Sequence, residues 1–195
     1  MCSLFMQKKF IRLLLAALSM VAIIAYYPYF KPEQSKSEVK GVYQYVSNDY
    51  KVITIEDGDT ITVDMNGKKE KVRFIGVDTP ETKDPRKAVQ CFGKSAGEYT
   101  KQKIGNNTVR LESDELNTNR DRYNRLLRYV YLTDGTLINA QIIKDGYGFA
   151  YISFPFTKKD EFKRIENEAR EQKRGLWSTC QPTQNKYGGY TSNPE

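Results

Sequence analysis

The sequence contains no histidine. That absence removes the Ser-His-Asp and Cys-His couples, histidine-ligated zinc, the histidine general base and the phosphohistidine intermediate. Cysteine is scarce: Cys2, Cys91 and Cys180 are too few for a four-cysteine zinc site. Acidic residues are outnumbered, 24 against 31 basic ones, which leaves a formal charge of +7. Catalysis by this chain therefore falls to carboxylates, Arg, Lys, Tyr or a metal held by oxygen. The basic surface points to a polyanionic partner such as nucleic acid or anionic lipid. With 39% apolar and 28% charged residues, the 195-residue chain can bury one core and carry extra terminal segments.

Long apolar runs are also rare, and the one present lies at the N-terminus. Lys8, Lys9 and Arg12 precede a Leu/Ala/Ile-rich stretch from Leu13 to about Phe30. Basic residues ahead of such a stretch are the pattern of an export signal. The run is also nearly long enough to span a bilayer. Residues 1–30 therefore read as a signal peptide or an N-terminal membrane anchor. Both place the remainder outside the cell, secreted or anchored on the outer face of the membrane. Without these thirty residues the charge excess falls to +4, a mild bias. Export also allows a disulfide between Cys91 and Cys180, with two free thiols as the alternative.

Residues 31–47 are polar, lack a period and read as a linker. The globular part spans 48–180. From Tyr50 to Val77 the apolar residues alternate as in strands, and Asn66-Gly67 is a strong hairpin signal, so this stretch predicts a three-stranded meander. Residues 94–104 predict a helix with Ala96, Tyr99 and Lys103 on one face. Strands are expected at 107–112 and 125–133, separated by charged turns. Thr136 is expected to cap a short helix ending near Lys144, and Thr157 with Asp160 to form a capping box for a helix that Gly175 ends. Residues 181–195 read as a flexible polar tail. Three strands, a helix, two strands and two helices give an α+β, mainly β, class: a five-stranded OB barrel with three packed helices.

With histidine absent, the acidic turns carry the chemistry. Asp57-Gly58-Asp59-Thr60 lies between strand signals, Arg73 lies on the third strand, and Asp78-Thr79-Pro80-Glu81 follows it. Arg125 opens a later strand after the Arg120-Asp121-Arg122-Tyr123 turn. Phosphodiester hydrolysis needs such parts: a hard cation on oxygen ligands, a carboxylate for water, and guanidiniums for phosphoryl oxygens. Singly, each of these residues is explained by a turn or a solvated face.

As an ordered set they are specific. Asp57-Gly58-Asp59-Thr60, Arg73 through Thr82, Lys83-Asp84-Pro85, Phe92-Gly93, Asp121 through Arg125 and Gly175-Leu176-Trp177-Ser178 resemble the thermonuclease (staphylococcal nuclease) family. The resemblance covers about Tyr50 to Ser178. It implies a calcium-dependent nuclease that cleaves DNA and RNA, prefers single strands and leaves 3′-phosphates. It implies Asp59, Asp78 and the Thr79 carbonyl as calcium ligands, Glu81 as the residue that positions or deprotonates water, and Arg73 and Arg125 as phosphate ligands. It further implies that Arg122 and Tyr123 contact a terminal phosphate and that Tyr151 lines the nucleotide pocket. Some positions depart from the pattern: Asn124 replaces a glycine, Ser153 a pocket tyrosine and Arg122 a lysine, and Cys91 and Cys180 have no counterpart in the family's best-known member. The alternative reading is a non-catalytic OB module that binds nucleic acid. A small barrel without an interface pattern is expected to be a monomer.

Overall fold

The apolar alternation between Tyr50 and Phe74 builds one wall of a closed barrel. The structure, a computed structural model, describes residues 49–82 and 88–194. The signal or anchor segment and the linker lie outside the described residues. Strands β1 (Asp49–Asp57), β2 (Thr60–Met65) and β3 (Lys68–Phe74) pair antiparallel in sequence order. The β2–β3 turn is Asn66-Gly67, both at positive φ, as a tight hairpin with right-twisted strands requires. Strands β5 (Thr108–Glu112) and β6 (Leu126–Tyr131) close the barrel in the order β1-β2-β3-β6-β5. β6 runs parallel to β3, with Arg73 opposite Leu127. This is the five-stranded OB arrangement expected from the sequence.

Side chains that alternate inward fill the barrel: Ile61, Val63, Val72, Phe74, Leu126 and Val130 are all buried. Helix α2 (Ile138–Lys144) plugs one side with Ile138, Ile142 and Ile143, and α3 (Lys159–Glu171) adds Phe162 and Ile165. Burying side chains of this size contributes roughly 1.5–3 kcal/mol each. Asn139, fully buried on α2, ties these layers together. Its Oδ1 accepts the Val130 N–H at 2.9 Å, and its Nδ2 donates to the Ile75 and Arg128 carbonyls at 2.9 and 3.2 Å.

Helix α1 (Gly93–Ile104) buries Ala96, Tyr99, Thr100 and Ile104, while Lys103 is exposed and lies over the Tyr99 ring. The inward stripe thus continues through Ile104, one position beyond the expected lysine. Neither expected cap forms. α2 starts after Leu137 with no side-chain cap, because Thr136 belongs to a turn in which its N–H donates to Asp134. α3 starts after Lys158, and the Thr157 N–H and hydroxyl both donate to Asp114 instead. A buried carboxylate 43 residues away is the stronger acceptor for that hydroxyl.

Beyond the barrel, β4 (Val77–Asp78) pairs with β7 (Phe149–Ala150), and a short helix α4 (Leu176–Thr179) follows α3. The stretch read as a polar tail carries a hairpin of β8 (Thr183–Gln184) and β9 (Tyr190–Thr191). Two features that composition conceals seat it. Tyr190 packs edge-on against Trp177, and residues 192–193 hydrogen-bond to the backbone of Cys91. Cys91 is joined to Cys180 by a disulfide.

Candidate active site

The acidic turn, the end of β3 and the start of β4 meet at one end of the barrel. Between β3 and β4 the chain reverses at Gly76, with φ of 71°. A Cβ there would lie 2.7 Å from the Phe156 ring, so only glycine admits the turn. The reversal returns Asp78 to Arg73. The Arg73 guanidinium bridges two carboxylates: Nη1 to Asp59 Oδ2 at 2.9 Å and Nη2 to Asp78 Oδ1 at 2.9 Å. Its Nη1 also donates to the Val77 carbonyl at 2.7 Å. Thr79 donates both its N–H and its hydroxyl to Asp59 Oδ2, at 2.9 and 3.1 Å. From α1, the Thr100 hydroxyl fixes the acidic turn by donating to the Gly58 carbonyl at 2.7 Å.

Among the described residues, Asp57, Asp59 and Asp78 all face the Arg73 guanidinium. Burial and then the Asp59 charge push the Asp57 carboxyl up to about 7, and Arg73 only partly opposes them. Burial by itself would weaken the Arg73 cation, but Asp59, Asp78 and Asp57 together hold it above its ordinary value. The Asp59 side chain is 7% exposed and that of Asp78 47%, so the cluster is closed on one side and open on the other. Among the described residues no three acidic or cysteine side chains are gathered in metal-holding geometry. What this end offers is the Asp59 and Asp78 carboxylates, both hard oxygen donors. That donor set fits a divalent oxygen-seeking cation completed by water.

Glu81 follows two residues after Thr79, and its Oε1 accepts the Thr82 N–H at 2.9 Å. Arg125 precedes β6 on the strand beside β3. Asp121 holds it through Nε and Nη2, both at 2.7 Å, and through the main-chain N–H at 2.9 Å. The loop carrying it is tied to β3 by Arg120, whose Nη1 reaches both Glu70 Oε2 and the Asn124 carbonyl at 2.8 Å. Asn124, the residue in place of a glycine, takes φ of 62°, a left-handed conformation that asparagine tolerates. Tyr123 is 61% exposed, with the guanidiniums of Arg122 and Arg125 over its ring at 4.8 and 5.4 Å. Tyr151 is bonded through its N–H to the Gly76 carbonyl at 2.9 Å, beside Arg73.

The structure therefore gathers Arg73, Asp59, Asp78 and Thr79 directly, sets Glu81 next to them in the chain, and places Tyr151 against the Gly76 turn. Arg122, Tyr123 and Arg125 form a second group on the adjoining loop. Two further residues had no signal in the sequence. Phe154 lies 5.8 Å from the Tyr151 ring and is exposed, next to the Ser153 that stands in place of a tyrosine. Gln90 is bonded to the main chain of Glu81.

Residues 71–179 match the family described as staphylococcal nuclease homologue. The chain is 39% identical over 158 residues to a thermonuclease of Staphylococcus hyicus, covering 80% of this chain and 92% of that protein. It is 39% identical over 153 residues to endonuclease YncB of Bacillus subtilis, covering 75% and 72%. Identity to a thermonuclease of Staphylococcus intermedius is 35% over 178 residues, covering 88% and 99%.

Proposed function

The chain belongs to the staphylococcal nuclease family, and on that premise we propose that it is a calcium-dependent nuclease hydrolysing phosphodiester bonds of DNA and RNA. Single strands are its preferred substrate and 3′-phosphates its products. The observation that carries the reading is the bridging of Asp59 and Asp78 by Arg73, with Thr79 and Glu81 immediately downstream. Asp59, Asp78 and the Thr79 carbonyl would hold the calcium ion. When bound, it draws off charge that accumulates on a phosphoryl oxygen. Arg73 and Arg125 donate to the equatorial oxygens as the fifth bond to phosphorus forms. The Glu81 carboxylate orients the attacking water and takes its proton. The bond from phosphorus to the 5′-oxygen breaks, and that oxygen leaves as a hydroxyl with a proton from solvent, so the phosphate stays on the 3′ side. Arg122 and Tyr123 receive a terminal phosphate, and Tyr151 with Phe154 offers flat faces to a base.

The basic residues before Leu13 and the Cys91–Cys180 disulfide support an exported protein, secreted or tethered by its N-terminal segment.

The test is release of acid-soluble nucleotides from single-stranded DNA with calcium and then with excess chelator. Release that stops with chelator is expected. Magnesium is expected to support it poorly, because it demands a tighter octahedral shell. A folded, DNA-binding sample that releases nothing would turn the assignment to the non-catalytic OB module.

A further inference from the structure

Glu81 must hold its carboxylate against a water molecule, yet it lies in a loop, outside any helix or strand. Among the described residues, Gln90 fastens its main chain. The Glu81 N–H donates to Gln90 Oε1 at 2.7 Å, and the Gln90 N–H donates back to the Glu81 carbonyl at 3.0 Å. The Gln90 side-chain carbonyl thus takes the place that a second main-chain carbonyl would fill in a strand pair. Both polar groups of the Glu81 backbone are satisfied by this single partner. The other side of the loop is closed by α1. A Cβ on Gly93 would lie 2.4 Å from Thr82 Cγ2 and 3.0 Å from the Pro80 carbonyl, so the helix start presses against the Pro80–Thr82 backbone.

Gln90 is itself held from a distant part of the chain. It forms an antiparallel bridge with Pro194, and its Nε2 lies 3.5 Å from Thr191 Oγ1. The next residue, Cys91, donates its N–H to the Asn193 carbonyl at 2.8 Å and accepts the Ser192 hydroxyl at 2.8 Å. Its sulfur is bonded to Cys180. A continuous set of bonds therefore runs from the C-terminal hairpin, through Gln90, to the backbone of Glu81.

We propose that Gln90, seated by residues 191–194 and the Cys91–Cys180 disulfide, is the positioning residue for Glu81. Resting on the nuclease reading, this assigns to the hairpin a part in catalysis without contact with substrate. Loss of the Gln90 acceptor leaves the Glu81 N–H unpaired and lets the carboxylate wander from the water. Misplacement of a reacting group by about 1 Å can cost on the order of a hundredfold in rate.

The experiment compares the full chain with Gln90→Leu, which keeps bulk and removes the acceptor, and with Gln90→Glu, which keeps the acceptor. Gln90→Leu is expected to lower kcat by about tenfold or more with KM within about twofold, since substrate contacts are untouched. Gln90→Glu is expected to restore most of kcat. Hydrogen exchange at the Glu81 amide, followed by NMR, is expected to be slow in the parent and in Gln90→Glu and fast in Gln90→Leu, while amides of β2 and β3 stay protected in all three. Unchanged kcat in Gln90→Leu, equal exchange at Glu81 in all three proteins, or a Gln90→Glu variant as slow as Gln90→Leu would each overturn the assignment. An inactive parent with a protected Glu81 amide would overturn the nuclease reading and leave the backbone clamp standing.

Discussion

Asp59 and Asp114 are both buried aspartates at the ends of strands, 5% and 6% exposed, and they live in opposite electrostatic settings. Asp114 is surrounded by donors. Its Oδ2 accepts the Tyr129 hydroxyl at 2.6 Å and the Thr157 hydroxyl and N–H at 2.6 and 2.8 Å, and its Oδ1 accepts the Leu116 N–H at 2.8 Å. Burial alone would raise its pKa, but the bonds from Thr157 and Tyr129 outweigh it and hold the carboxyl below the ordinary value. Asp59 also accepts the Thr79 N–H and hydroxyl and the Thr60 hydroxyl, but it sits among charges, with Arg73 on one side and Asp57 and Asp78 nearby. Burial first, and then the Asp59 charge, push the neighbouring Asp57 carboxyl up to about 7. A fully satisfied carboxylate joins elements of the fold. Carboxylates crowded together, with a protonation shifted by burial and by one another, mark a candidate functional site.

The largest expected effect tests that division at its functional end. Asp59→Asn should reduce nucleotide release by at least about a hundredfold while leaving the protein folded by circular dichroism. A variant that cuts at the parental rate would make Asp59 no different in kind from Asp114. The reciprocal change is Asp114→Ala, which strands the Tyr129 and Thr157 donors. It should cost about 1–3 kcal/mol of stability in urea titration and leave the rate of the folded protein within about twofold. A large rate loss in folded Asp114→Ala would join the two carboxylates into one site.

Glu166 sharpens the contrast with an intermediate case. It is buried on α3 and its Oε1 accepts one N–H, that of Ala150, at 2.8 Å. Burial pushes its carboxyl up to about 7 against an ordinary 4.5, since one donor does not compensate it. The folded protein thus keeps a proton that the unfolded chain has released, and stability falls as pH rises from about 4.5 to about 7. Glu166→Gln keeps the acceptor and removes the ionisation. Its urea midpoint, compared with the parent's, should therefore gain more at pH 8 than at pH 5. An equal difference at both pH values would place Glu166 with the compensated carboxylates.

The sequence disclosed what repeats or what is local. Alternation placed Ile61, Val63 and Val72 inward, and Asn66-Gly67 fixed the β2–β3 register because two residues decide that turn. The ordered acidic and arginine motifs located the candidate site. What stayed hidden depends on partners distant along the chain. Nothing near Thr157 shows that Asp114 will take its hydroxyl, so a local capping box was the natural expectation. Residues 181–195 look like a tail because their apolar content is low. Trp177 and Cys91 contribute the surface that residues 190–193 pack and hydrogen-bond against. Gln90 carries neither charge nor a motif, and its importance is visible only once Glu81 and Pro194 lie on either side of it.

The seating of Gln90 also has a consequence in time. Thr191 follows Gln90 by 101 residues. At roughly 5–20 residues per second, translation takes about 5–20 s to bridge that interval. Throughout it the nascent chain already carries Asp59, Arg73, Asp78 and Glu81, while the residues that brace Gln90 have yet to be made. The order of the chain thus delays the bracing of Gln90, and with it of the Glu81 backbone, until residues 191–194 have been made.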